Sequence, residues 1–76
     1  MITVKLFGLL RLESGIKEKQ MEAATVKEVL DTLENHGVSK AELRGCVIFI
    51  NGNSANRRSK LADGDEVVLM SPVAGG

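Results

Sequence analysis

Cys46-Val47-Ile48-Phe49-Ile50 offers water five apolar residues in succession. A run that short and that uniformly apolar is what a strand covered on both faces requires, so it is expected in the interior of a sheet. Asn51-Gly52, directly after it, favours a tight reversal into the next segment. The rest of the chain must therefore supply neighbouring strands and at least one covering layer.

Those partners are legible on either side. Ile2, Val4 and Leu6 alternate with Thr3 and Lys5, the period of two that puts one strand face on a core and leaves Phe7 on the other face. Leu9, Leu10 and Leu12 lead to the turn signal Ser14-Gly15, and residues 16–22 read as a charged edge strand, so the first two strands are expected as a hairpin. Thr25-Val26-Lys27-Glu28 has the form of a capping box. Val26, Val29, Leu30 and Leu33 then recur as one helical stripe up to the left-handed stop offered by Gly37. Ser39-Lys40-Ala41-Glu42 repeats the capping pattern over a stretch long enough for a turn or two of helix. Asn53 to Lys60 is polar, with room for a short irregular strand. Asp63-Gly64 marks another turn, and Glu66-Val67-Val68-Leu69-Met70 is the last strand, stopped by Pro72, which has no N–H for a ladder. The order strand, strand, helix, strand, strand implies an α+β domain over residues 1–72: a mixed sheet of four to five strands with one main helix across one face. If the flanking hairpins bracket the helix, the first and last strands pair in parallel at the centre, a β-grasp arrangement.

Composition limits what such a domain does. A chain of 76 residues buries only about 60% of its unfolded surface, and an enclosed active-site cavity is not expected. Ten basic and ten acidic residues cancel, and the only aromatics are Phe7 and Phe49. Neither a phosphate-steering field nor a base-stacking platform is available, so nucleic acid is not an expected partner. The single cysteine, Cys46, cannot form an internal disulfide, and the first residues have neither a basic leader nor a long apolar run. A cytoplasmic protein that does not span a membrane is expected.

After Pro72 the chain reads Val73-Ala74-Gly75-Gly76, uncharged and slender, the expected flexible tail of the domain. Glycine has no Cβ and accepts backbone angles and close approaches that other residues resist, so such a tail suits threading through a narrow channel. The carboxylate of Gly76, with an ordinary pKa of about 3.3–3.7, is ionised at neutral pH and able to attack an ATP α-phosphate held by another protein. The chain itself carries no phosphate-binding glycine loop and no clustered metal ligands, so it is expected to bind no cofactor or metal and not to be an enzyme. The competing reading of two terminal glycines is a frayed end.

The stretch from Leu61-Ala62-Asp63-Gly64-Asp65-Glu66 through Val67-Val68-Leu69-Met70-Ser71-Pro72 to Gly75-Gly76 resembles the C-terminal signature of the MoaD/ThiS sulfur-carrier family. Ile2-Thr3-Val4-Lys5-Leu6-Phe7, Leu10-Arg11, Ser14-Gly15 and Thr25-Val26 resemble it too, so the likeness spans essentially the whole chain. It implies a ubiquitin-like β-grasp fold whose C-terminal glycine, here Gly76, is adenylated by an ATP-dependent activating enzyme and converted to a thiocarboxylate that donates sulfur. The Pro-Val-x-Gly-Gly ending is closer to the MoaD branch, which implies the small, non-catalytic subunit of molybdopterin synthase, monomeric when free and docking on the large subunit. Many MoaD-like tails have Pro-Pro where this chain has Ser71-Pro72. The same tail serves ThiS-like delivery to thiamine thiazole, tRNA thiolation, or conjugation to proteins through Gly76.

The resemblance also implies partner contact at Phe7, Leu61 and Met70. Phe7 is open to two readings, a second small cluster or an exposed contact; Leu61 is open to core packing. Arg57, Arg58 and Lys60 form either a solvated loop or a basic patch that steers acidic partners. Cys46 reads as a packed core thiol, with a sulfur-relay role as the alternative. His36 falls in the last turn of the helix, where a positive ring suits the dipole. Asp63-Gly64-Asp65-Glu66 reads as a turn rather than a calcium loop, whose further ligands are missing.

Overall fold

The computed structural model describes residues 1–72. In chain order the elements are β1 (Ile2–Phe7), α1 (Leu9–Ser14), β2 (Glu18–Met21), α2 (Val26–Asn35), α3 (Lys40–Gly45), β3 (Val47–Ile50), β4 (Asn53–Ala55) and β5 (Glu66–Met70). The strands form one sheet in the order β2-β1-β5-β3-β4. β1 and β5 pair in parallel with Val4 opposite Val67 and Leu6 opposite Leu69; every other pairing is antiparallel. This is the mixed β-grasp sheet, with the first and last strands side by side.

The inward residues of the alternating strands meet the stripe of α2. Ile2, Val4 and Leu6 of β1, Val67 and Leu69 of β5, and Val26, Val29, Leu30 and Leu33 of α2 are all buried, joined by Leu10 of α1 and Leu43 of α3. Among the described residues no polar or charged side chain is buried. Helix α2 starts with half of its capping box in place: the Glu28 N–H donates to the Thr25 hydroxyl at 3.3 Å, while the Glu28 carboxylate accepts from the N–H of Ala24, one residue before the cap, at 3.3 Å. The chain beyond β4 completes the cap, because the Val26 and Lys27 N–H groups donate to the carbonyls of Ser59 and Arg57, each at 3.1 Å.

Three local expectations are corrected. The segment between β1 and β2 is no simple hairpin: Leu9, Leu10 and Leu12 belong to α1, and Ser14-Gly15 ends that helix, the Gly15 N–H donating to the Arg11 carbonyl at 2.9 Å. The run at residues 46–50 is paired on both edges but covered on one face only. Ile48 is buried while Val47 is 41% exposed, because the helices share the sheet's other side. Ser39 precedes α3 without a side-chain cap bond, and the helix closes through the Leu43 N–H to the Ser39 carbonyl at 3.0 Å. Asn51 and Gly52 turn β3 into β4 with φ of 50° and 84°, the pair of positive values a two-residue hairpin loop demands.

Candidate functional site

The open sheet face follows from the alternation that builds the core. With Leu6 and Leu69 inward, Phe7 and Met70 point outward, and the parallel register sets them opposite each other. Val47 is the antiparallel partner of Met70 on its far side. Phe7, Met70 and Val47 thus form one row across three strands, each 36–41% exposed. In the next row Val68, flanked by Lys5 and Phe49, is half-buried. One row further the face turns polar, where the Lys5 ammonium pairs with the Glu66 carboxylate at 3.0 Å. The apolar corner therefore sits at the C-terminal end of β5, where the chain passes through Ser71 and Pro72 toward the tail. Val73, Ala74, Gly75 and Gly76 lie outside the described residues.

The other candidates are elsewhere. Leu61 packs, partly buried, against the core, its N–H donating to the Ala24 carbonyl at 2.9 Å, away from the Phe7 row. Arg57 and Arg58 are exposed on the loop that caps α2. A guanidinium nitrogen of Arg57 donates to the Leu43 carbonyl at 3.2 Å, and Arg57 lines an open groove of about 270 Å³ between α2 and α3 with Lys27, Lys40 and Arg44. Arg58 donates only its backbone N–H to the Asn56 side chain, at 2.8 Å. The Cys46 thiol donates to the same Leu43 carbonyl at 3.1 Å; burial pushes its pKa up and outweighs the opposing pull of Arg57. A thiol in that state is a packing group rather than a nucleophile. His36 bonds the Thr32 carbonyl through Nδ1 at 2.8 Å at the end of α2. Residues 62–65 form a turn, the Asp65 N–H donating to the Ala62 carbonyl at 3.1 Å.

Three residues that sequence reasoning passed over belong to this corner. Val47 belongs to the uniformly apolar run, which carries no alternation to say which face it takes. Gly8 and Ser71, the third pair of neighbours at the corner, meet only through the parallel pairing of β1 with β5. A Cβ at Gly8 would lie 3.3 Å from the Ser71 Cβ, and nothing local in either segment announces that approach.

The model of the ThiS family matches residues 4–76, the tail included. The chain belongs to the ThiS family. No curated protein matches this ThiS family member in sequence, whereas solved structures do. One is a chain of the complex of subunits 1 and 2 of molybdopterin-converting factor from Helicobacter pylori 26695, 29% identical, with a TM-score of 0.75 over 99% of this chain and 97% of that one. SAMP1 from Haloferax volcanii is 28% identical with a TM-score of 0.81 over 99% and 98%. A chain of the BexX/CysO complex of Amycolatopsis orientalis is 27% identical with a TM-score of 0.75, each chain covered in full at 100%. The family places this protein among small ubiquitin-like carriers rather than enzymes. Among the described residues no helix is long and apolar enough to cross a membrane.

Proposed function

We propose that this ThiS family member is a sulfur carrier of molybdopterin synthesis, acting as the small subunit of molybdopterin synthase. The observation that carries the reading is the family match running through residue 76, so that it includes the Gly75-Gly76 ending. The likeness to a chain of the molybdopterin-converting factor complex supports the choice of pathway.

The carboxylate of Gly76 attacks the α-phosphorus of ATP on a separate activating enzyme, and pyrophosphate leaves. A sulfide-level sulfur donor then attacks the acyl carbon and AMP leaves, forming a thiocarboxylate. In the large subunit this sulfur passes to cyclic pyranopterin monophosphate, and water restores the carboxylate. Phe7, Met70 and Val47 supply an apolar contact at the root of the tail, Leu61 supports the neighbouring body, and Arg57 and Arg58 steer acidic partner surface. Val73, Ala74 and Gly75 carry the reactive end into the partner's channel.

Intact-mass spectrometry tests this after incubation with ATP, a sulfur donor and the activating enzyme. Exchange of one oxygen for one sulfur is expected on the full chain and not on a chain lacking Gly76. An unchanged mass for the full chain overturns the reading.

Similarity to SAMP1, small archaeal modifier protein 1, favours a second use of the same tail, conjugation to a target lysine. Covalent adducts of a tagged copy in cells, lost on deletion of Gly76, would reveal it; a lysate free of them removes it.

A further inference from the structure

Helix α1 lacks an N-cap side chain, because its cap position is Gly8. The Arg11 and Leu12 N–H groups both return to the Gly8 carbonyl at 3.1 Å. Leu10, only 1% exposed, has no such acceptor within the turn; its N–H donates to the Ser71 hydroxyl at 3.0 Å, 61 residues away. A buried N–H must find a partner, and here the partner is the first residue after β5. Ser71 is held a second time by its backbone N–H, 3.4 Å from the Phe7 carbonyl, which continues the β1–β5 ladder by one step. Gly8 permits this approach: its φ is 69°, and a Cβ there would crowd the Ser71 Cβ at 3.3 Å and hydroxyl at 3.4 Å. The next residue, Pro72, has no N–H to bond and a fixed φ. Ser71 is thus the last backbone anchored by hydrogen bonds among the described residues.

We infer that Ser71 is a positioning residue: its hydroxyl, bonded to the Leu10 N–H beside Gly8, holds the root of the tail at Ser71-Pro72 in place relative to the Phe7–Met70–Val47 row. The inference rests on the sulfur-carrier reading. Four residues reach at most about 13–14 Å fully extended. A root that moves by about 2–3 Å takes the same length from that reach. Attack of a carboxylate on a phosphorus tolerates far less, since a misplacement of about 1 Å can cost about 100-fold in rate. With so short a reach, the place of the root decides whether the carboxylate arrives at the phosphorus after the body has docked.

The test compares the full-length protein with Ser71→Ala and Ser71→Thr on the activating enzyme, measuring affinity and single-turnover adenylation separately. For S71A the affinity is expected to stay within about twofold while adenylation slows by roughly 10- to 100-fold; S71T, which keeps the hydroxyl, restores the rate. Hydrogen exchange at the Leu10 amide should quicken about 3- to 10-fold in S71A, the loss of one hydrogen bond. Adenylation of S71A at the wild-type rate overturns the inference and leaves the carrier reading standing. So does a rate loss matched by an equal loss of affinity, or one that S71T fails to restore. A wild-type chain that is never adenylated overturns the carrier reading and this inference together.

Discussion

Both carboxylate oxygens of Asp65 are engaged, one by the Ala62 N–H at 2.8 Å and the other by the Asn51 amide at 2.9 Å. The Asn51 side-chain oxygen in turn accepts from the Glu66 N–H at 2.9 Å, so the turn after β3 is pinned to the first residue of β5. The Ala62 backbone bond, then that of Asn51, holds the Asp65 pKa below its ordinary value of 3.8. A carboxyl group more acidic in the folded state binds fewer protons there than in the unfolded chain. Its stabilisation is therefore complete above the ordinary value and disappears as pH falls through the lowered one. Asp65→Asn should make the acid limb of stability shallower below about pH 4, while lowering stability at neutral pH. Urea titrations at a series of pH values check this, and parallel wild-type and D65N profiles would contradict it. The residue itself was readable as part of a turn from Asp63-Gly64; its distant partner was not, because Asn51 is brought to it by the β3–β5 pairing.

At the scale of elements, the strand registers carry the argument. The period of two already placed Phe7 opposite the core face, but only the pairings of β5 with β1 and β3 make Phe7, Met70 and Val47 one row. Their outward exposure means that a charge there costs the fold little, while a docked apolar contact would be lost. Met70→Glu should leave thermal stability within about 0.5 kcal/mol, as surface changes do, and weaken binding to the activating enzyme by more than about tenfold. Calorimetric titration beside a melting curve distinguishes the two effects; unchanged affinity would remove Met70 from the contact. Helix α1 was illegible for a related reason. Six residues are too few for a helical period to emerge, and its first-turn acceptor, Ser71, lies at the other end of the chain.

For the whole molecule, the decisive arrangement is a single apolar layer between one sheet face and the helices. Leu33 contributes from the stripe of α2 and is fully buried at 0% exposure. Leu33→Ala removes its methyl groups from a core that relaxes only in part, a loss of about 2–5 kcal/mol. In a domain this small that is a large share of the total, and urea unfolding should show a midpoint far below that of the wild type. A loss under about 1 kcal/mol would mean that neighbouring side chains had closed the space. Because the helices share one side, the opposite face stays open for a partner, and the run from Cys46 to Ile50 ends up half covered instead of enclosed.

The identity of the main helix, the inward face of β1, the existence of β5, and the stops at Asn51-Gly52 and Pro72 were all determined by the sequence alone, since each rests on residues within a few positions of one another. Strand order, the row at the apolar corner and the Gly8–Ser71 approach were decided only by the tertiary structure. Each of those joins segments tens of residues apart, and their pairing depends on which buried faces pack best together, a property of the assembled core that no local pattern encodes.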